Sequence, residues 1–339
     1  MARRGSAARA RVTFPKIELH VHLEGTVRPE TLLEIARRND YALPADTVEG
    51  LSRLYEYRDF AHFIEVWILT TNALRTHDDF QQVVVDYAEE AARHGAVYLE
   101  AIFSPAERAR RGVNWDETFA GYCDGIEAAR ERHGVEVRLT PDIFRGATPE
   151  EAEQVVRCSA RYRDRGVVAV GLGGLEADYP PETYADAFAL VREEGLGSVP
   201  HAGEVAGPAS IRGALGALGA DRIRHGIRAV DDPALVDELR ERGIVLDVCP
   251  ISNLRTGAVP SLEQHPLREL AAAGVRCSIS TDDPAMFDTD LTRENEAAAR
   301  LGVDPQTAFA NGVAGALCDE TTRERLRSIG ESFDWGSLR

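Results

Sequence analysis

Residues 18–25 read Glu-Leu-His-Val-His-Leu-Glu-Gly, and the His20-Val21-His22 unit at their centre is the part of the chain best equipped for chemistry. Apolar neighbours on both sides read as a short buried strand. Successive side chains on a strand face opposite ways, so His20 and His22 share one face, a single pleat apart. One metal ion can take both imidazole nitrogens, and imidazole is the commonest metal-binding side chain. Without a shared ion, each ring needs its own partner in an apolar core.

The elements that must position such a pair repeat along the chain. Short apolar, β-branched runs occur at 16–23, 96–103, 135–144, 167–173, 196–201, 222–226, 243–249 and 275–281. Amphipathic segments between them predict helices at 79–93, 115–132, 149–164, 182–194, 208–218 and 232–241. Several open on capping signals. Thr148-Pro149-Glu150-Glu151 offers an N-cap, a proline at the first helical position and a following acid; Asp232-Pro233 and Pro180-Pro181-Glu182 are similar. Eight strands alternating with helices predict a (β/α)₈ TIM-type barrel of the metallo-dependent hydrolase kind. The first connection, 25–95, is too long for one helix. Extra helices are expected after the first strand, at 30–39 and 60–76, over the barrel mouth. No low-complexity linker or composition break divides the chain. It reads as one barrel domain over 13–339, preceded by a disordered basic tail over 1–12 that holds Arg3, Arg4, Arg9 and Arg11.

Active sites of such barrels sit at the C-terminal strand ends. Those ends carry His20, His22 and Glu24; His201-Ala202-Gly203-Glu204; His225-Gly226; Cys249-Pro250-Ile251-Ser252-Asn253; and Thr281-Asp282-Asp283-Pro284. His20, His22, His201 and Asp282 make a nitrogen-rich set that suits Zn²⁺ and, less specifically, Fe²⁺ or Mn²⁺. Its chemistry would be activation of water at neutral pH. Glu204, three residues past His201, is a candidate proton donor. His225 is placed to contact the attacking water. Asp283 diverges from its neighbour Asp282, so one can bind metal while the other faces substrate.

Composition narrows the function. The chain has 339 residues, 44% of them hydrophobic, enough for a large core. Its net charge of −17 (39 basic, 56 acidic) disfavours nucleic acid and anionic membranes as partners. Five cysteines (Cys123, Cys158, Cys249, Cys277, Cys318) lie far apart without a Cys-x-x-Cys, so neither a disulfide framework nor a thiolate zinc site is expected. A reducing cytoplasm fits this. The Arg-rich opening lacks the apolar core of a signal peptide. A cytidine-type deaminase would need a Pro-Cys-x-x-Cys motif, which is missing. The chain has a single lysine, Lys16, which opens a candidate strand and stands at the C-terminal end of none, and this disfavours a paired-metal site bridged by a carboxylated lysine.

Taken jointly, these motifs resemble the adenosine deaminase family of the amidohydrolase superfamily. The matching segments are Pro15 to Gly25, Tyr98-Leu99-Glu100-x-x-Phe103-Ser104-Pro105, His201-Ala202-Gly203-Glu204, His225-Gly226, Cys249-Pro250-x-Ser252 and Thr281-Asp282-Asp283-Pro284, in family order from about residue 14 to about 320. The resemblance implies zinc held by His20, His22, His201 and Asp282. It implies that Glu204 protonates purine N1, that His225 and Asp282 orient and deprotonate the attacking water, and that Asp283 bonds N7. It also implies that the backbone N–H of Gly174, in Gly171-Leu172-Gly173-Gly174-Leu175-Glu176, meets N3.

One departure bears on the substrate. Typical adenosine deaminases carry Asp at the position of Glu24, where it contacts the ribose 5′-hydroxyl. Glu is frequent there in adenine deaminases and is compatible with modified nucleosides. One of these is aminodeoxyfutalosine, a menaquinone precursor with a carboxylated aryl ketone at its 5′ end. The stretch from Ile251 to Gly257 looks more like that nucleoside-type branch. The expected reaction is zinc-dependent deamination of a 6-aminopurine nucleoside, adenosine or aminodeoxyfutalosine, with adenine as the alternative substrate. Arg58, Arg145 and Arg255 are candidate cations for a substrate carboxylate, each also readable as a solubilising surface charge. Phe60, Phe63, Ile64 and Trp67 share a helical face that serves either as an apolar lid or as ordinary core. Nothing in the chain indicates its oligomeric state.

Overall fold

Alternating side chains on short parallel strands build the barrel wall. The computed structural model describes residues 13–338. Its strands are β1 (Lys16–His22), β2 (Ala96–Ile102), β3 (Glu136–Leu139), β4 (Asp142–Phe144), β5 (Ala169–Gly173), β6 (Gly197–Ser198), β7 (His201–Ala202), β8 (Arg222–His225), β9 (Val245–Val248) and β10 (Arg276–Ile279). These ten segments form eight staves. The expected strands at 135–144 and 196–201 are each broken at a proline, Pro141 and Pro200, which has no N–H to give a ladder. Every strand pair is parallel, in the order β1-β2-β3, β4-β5-β6 and β7-β8-β9-β10. Leu139 bridges to Val167 between the first two groups, and Val21 bridges to Asp282 where the last strand meets the first. The fold is the (β/α)₈ barrel expected from the sequence.

The strand faces divide cleanly. On β1, Ile17, Leu19 and Val21 pack outward against the surrounding helices, which turns Glu18, His20 and His22 to the interior. On β8, Ile223 packs outward while Arg222 and Arg224 point inward and are fully buried. The interior is therefore charged as well as packed. Arg222 donates to Asp247 (2.5 Å), to Glu100 (2.7 Å) and to the Gly315 carbonyl (2.7 Å). Arg224 donates to Asp142 and to Thr140 Oγ1. Each of these guanidiniums has a carboxylate counter-charge and at least one further hydrogen bond, the condition on which ionic groups survive burial.

The helices follow their caps. Thr148 and Glu151 form a reciprocal capping box on the helix Pro149–Arg161, and Asp232 caps Pro233–Arg242. The segment at 182–194 begins as a 3₁₀ turn, Pro181–Tyr184, before the helix Ala185–Glu193. After β1 come α1 (Pro29–Arg38), α2 (Val48–Leu54), α3 (Phe60–Thr71) and α4 (His77–Arg93). Two of these correct the sequence reading. α2 was not anticipated. The helix expected over 60–76 stops at Thr71, because Thr76 and Asp79 form a capping box that starts α4 afresh. The expected tail over 1–12 lies outside the described residues. Among the described residues, no helix is long and apolar enough to cross a membrane.

Replacing Arg222 by Leu would leave Asp247 and Glu100 buried against each other. A loss of about 3–5 kcal/mol is expected, read by chemical denaturation.

Candidate active site

The candidate residues sit on backbone turns at the strand ends. His20 and His22 lie on β1, His201 opens β7 and His225 closes β8. Asp282 follows β10. Its N–H donates to the His20 carbonyl (3.1 Å) and its carbonyl accepts from His22 N–H (2.8 Å), so it is pinned between the two histidines by the backbone. His225 (φ 61°) and Asp282 (φ 67°) are both left-handed, a conformation costing roughly 1–3 kcal/mol for a non-glycine residue. Strain of this kind collects at functional sites because the surrounding structure over-determines it.

Four atoms converge. His20 Nε2 is 3.1 Å from His201 Nε2 and 3.2 Å from Asp282 Oδ1. His22 Nε2 is 3.2 Å from His201 Nε2 and 3.4 Å from Asp282 Oδ1. Donors bonded at about 2.0–2.1 Å to one tetrahedral zinc lie about 3.3 Å apart. The set therefore fits a single cation. The protonation states also fit. Burial pushes His20 and His201 far below the usual imidazole range and His22 down to about 3, so all three rings are neutral, as ligands must be. Nδ1–H of His201 donates to the Leu172 carbonyl (2.9 Å), which leaves the Nε2 lone pair facing the centre. Ring nitrogens held tip to tip at this spacing are a poor resting arrangement without a shared ion.

A pocket opens over this centre. Its polar wall includes Glu204, His225, Asp282 and Asp283; its apolar wall includes Phe60, Phe63, Ile64 and Trp67. The aromatic face of α3 is thus core and pocket wall together. Phe63 and Trp67 are buried, and the Trp67 Nε1–H donates to Asp283 Oδ1 (3.0 Å). Burial, reinforced by the Asp282 charge, pushes the Glu204 and Asp283 carboxyls well above their ordinary range. Burial of this kind favours the protonated form of a carboxyl. Glu204 Oε1 is buried without a partner, and Glu204 Oε2 lies 3.6 Å from His225 Nε2. Gly174 lines the pocket at φ 104°, where a side chain is strained and a Cβ would meet the Phe144 ring at 3.3 Å. Gly25 leaves room for the Asp283 carboxyl, since a Cβ there would fall 1.8 Å from Oδ1.

Two expectations about substrate contacts change. Glu24 does not face the pocket. It is drawn behind the wall, where Oε1 accepts from the Ser104 N–H (2.8 Å), and Ser104 takes the exposed place. A 3₁₀ turn, Leu23–Thr26, redirects the chain directly after β1 and buries the side chain. Arg145 is not a rim cation. It is buried, and its guanidinium donates to the carbonyls of His201 (2.7 Å) and Tyr179. Arg58 and Arg255 are exposed.

Several positioning side chains had no role in the sequence reading. Glu176 gathers the loop that carries Glu204. Its carboxylate accepts from the N–H groups of Gly203 (2.5 Å), Glu204 (3.1 Å), Val205 (2.9 Å) and Ala206 (3.0 Å), and from Ser210 Oγ (2.6 Å). Ser252 donates to Asp282 Oδ2 at 2.6 Å. Glu18 accepts from Thr281 N–H (2.9 Å), Thr281 Oγ1 (2.6 Å) and Tyr87 OH (2.6 Å). Glu18 and Glu176 do stand within the motifs already noted; their spacing alone does not reveal whom they hold.

Known proteins resemble this chain in sequence and fold. The adenosine deaminase family model matches residues 15–330. The aminodeoxyfutalosine deaminase of Acidothermus cellulolyticus is 58% identical over 95% of this chain and 92% of its own length. An adenine deaminase of Rhizobium leguminosarum bv. trifolii is 38% identical over 92% of this chain and 97% of its own. The crystal structure of an amidohydrolase from Burkholderia ambifaria, with bound Zn, superposes with a TM-score of 0.88 at 28% identity, covering 99% of this chain and 96% of that one. With the barrel and the convergent strand ends already in view, these matches make the chain a member of the adenosine deaminase family and a hydrolytic deaminase.

Proposed function

We propose that this protein is a zinc-dependent deaminase of 6-aminopurine nucleosides, with aminodeoxyfutalosine as the leading substrate and adenosine second. The observation that carries the reading is a convergence of four potential metal donors facing two buried carboxyls across one pocket. His20, His22, His201 and Asp282 would hold the ion, and a zinc held there would supply Lewis-acid activation of water near neutral pH.

The chain's own residues do the rest. Glu204 delivers its proton to purine N1, which makes C6 electron-poor. Asp283, steadied by Trp67, donates to N7, and the Gly174 N–H meets N3. These contacts orient the ring so that C6 lies over the cation site. Asp282 Oδ2 takes the proton released by the attacking water, with His225 alongside at 3.7 Å. Glu24 acts on the sugar side only through Ser104, whose N–H it holds. Water and the 6-aminopurine give the 6-oxo product and ammonia. The apolar wall of α3 suits an aryl substituent at the 5′ end, and the exposed Arg58 and Arg255 are the candidates for its carboxylate. The higher identity to the aminodeoxyfutalosine deaminase than to the adenine deaminase supports the nucleoside reading.

Ammonia release should be fastest with aminodeoxyfutalosine, slower with adenosine and negligible with adenine. Turnover of adenine alone would overturn the nucleoside assignment. Glu204→Gln should keep the metal and lose about 10²–10⁴-fold in kcat; undiminished turnover removes Glu204 from the reaction. Asp282→Ala should purify without its metal, as read by elemental analysis, and full occupancy would contradict the ligand set.

A further inference from the structure

A line of buried hydrogen bonds runs away from the pocket behind His225. Leu267 N–H donates to His265 Nδ1 at 3.0 Å. His265 Nε2 is 3.1 Å from Asn253 Oδ1, and Asn253 Nδ2 is 3.1 Å from His225 Nδ1. Asn253 is fully buried, and His265 and His225 nearly so. At the far end, His225 Nε2 faces Glu204 Oε2 (3.6 Å) and Asp282 Oδ2 (3.7 Å).

The polarity of this line follows from its first member. A backbone N–H can only donate, so His265 Nδ1 is an acceptor. A neutral imidazole carries one proton, which must then sit on Nε2. Burial alone pushes His265 down to about 4, which keeps the ring neutral. Its Nε2–H needs an acceptor, so Asn253 must turn Oδ1 toward it. The reversed amide would require His265 to accept at both nitrogens, which no neutral ring can do. Asn253 therefore presents its NH₂ to His225, and His225 Nδ1 accepts. The single His225 proton is left on Nε2, pointing at the reacting centre.

We propose that Asn253 and His265 are positioning residues that set the tautomer of His225, with the Leu267 N–H as the fixed reference. His225 then enters the reaction as a hydrogen-bond donor through Nε2. The carboxylate of Asp282 is left as the acceptor for the water's proton. Neither positioning residue touches substrate. Asn253 stands next to Ser252, which orients Asp282 Oδ2, so one turn of chain aims both groups. This inference rests on the deaminase reading for its rate measurements, but its tautomer readout does not.

Asn253→Asp keeps the shape and removes the donor. Its carboxylate still accepts from His265 but cannot donate to His225, so Nδ1 of His225 must take up a proton. In ¹⁵N-histidine-labelled, zinc-loaded protein, with His225 signals assigned by their loss in His225→Gln, Nδ1 should appear as an acceptor nitrogen in the parent and as a protonated one in Asn253→Asp. The same variant should keep its zinc and a KM within about threefold while kcat falls at least about 100-fold. His265→Gln presents an acceptor and a donor in the same order and should keep at least a third of kcat. His265→Phe frees the amide to turn and should lose about tenfold. Protonated Nδ1 in the parent, or Asn253→Asp with kcat within threefold, would overturn the proposal. So would loss of zinc from Asn253→Asp, or equal damage from the Gln and Phe replacements. If Asn253→Asp does not fold, the parent spectrum and the His265 pair decide the matter. If no purine substrate is turned over, the spectra still decide the tautomer.

Discussion

The barrel closes on Asp282. Its backbone bonds to both His20 and His22, linking the last strand to the first, while its side chain completes the donor set. Ring closure and the candidate cation site thus share one residue. The seam is reinforced from within, because Glu18 holds Thr281 through two bonds and is itself held by Tyr87. Burial lifts Glu18 to about 7, despite those hydrogen bonds. Asp282 takes a left-handed backbone at this junction, where the closing hydrogen bonds offset its strain.

Charge inside the barrel serves the same end. Below the histidines, Arg222 is neutralised by Asp247 and Glu100; beside them, Arg224 is neutralised by Asp142. Burial and the nearby guanidinium of Arg224 both keep His20 and His201 uncharged. Asp142 also lies 3.4 Å from His201 Nδ1. The layer that supports the fold therefore also sets the electrical state of the rings above it, and the cost of burying these ions is offset by their mutual pairing.

Much of this was legible in the chain because its signals are local. All eight staves were readable, since a short apolar, β-branched run needs only neighbouring residues. His20, His22, His201, Glu204, His225, Asp282 and Asp283 could be placed at one rim because strand ends converge in this architecture. What escaped depends on contacts between distant segments. Glu176 is an acid in a loop until the Gly203–Ala206 backbone is folded around it. Arg145 looks like any surface cation until its donors find the His201 and Tyr179 carbonyls. Glu24 could not be aimed from its length, because the turn after β1 rather than the side chain decides its direction. The break at Thr71 was obscured because apolar residues resume at Ala73 and Leu74, even though Thr76 and Asp79 announce a new start.

The indole of Trp67 belongs to two surfaces. Its ring lies in the apolar wall, and its N–H is committed to Asp283. The apolar wall of the pocket is thereby mechanically continuous with the Asp283 carboxyl. A lineage that reshaped this wall at Trp67 would release the Asp283 carboxyl at the same stroke, so the shape of the wall and the aim of that carboxyl are inherited together.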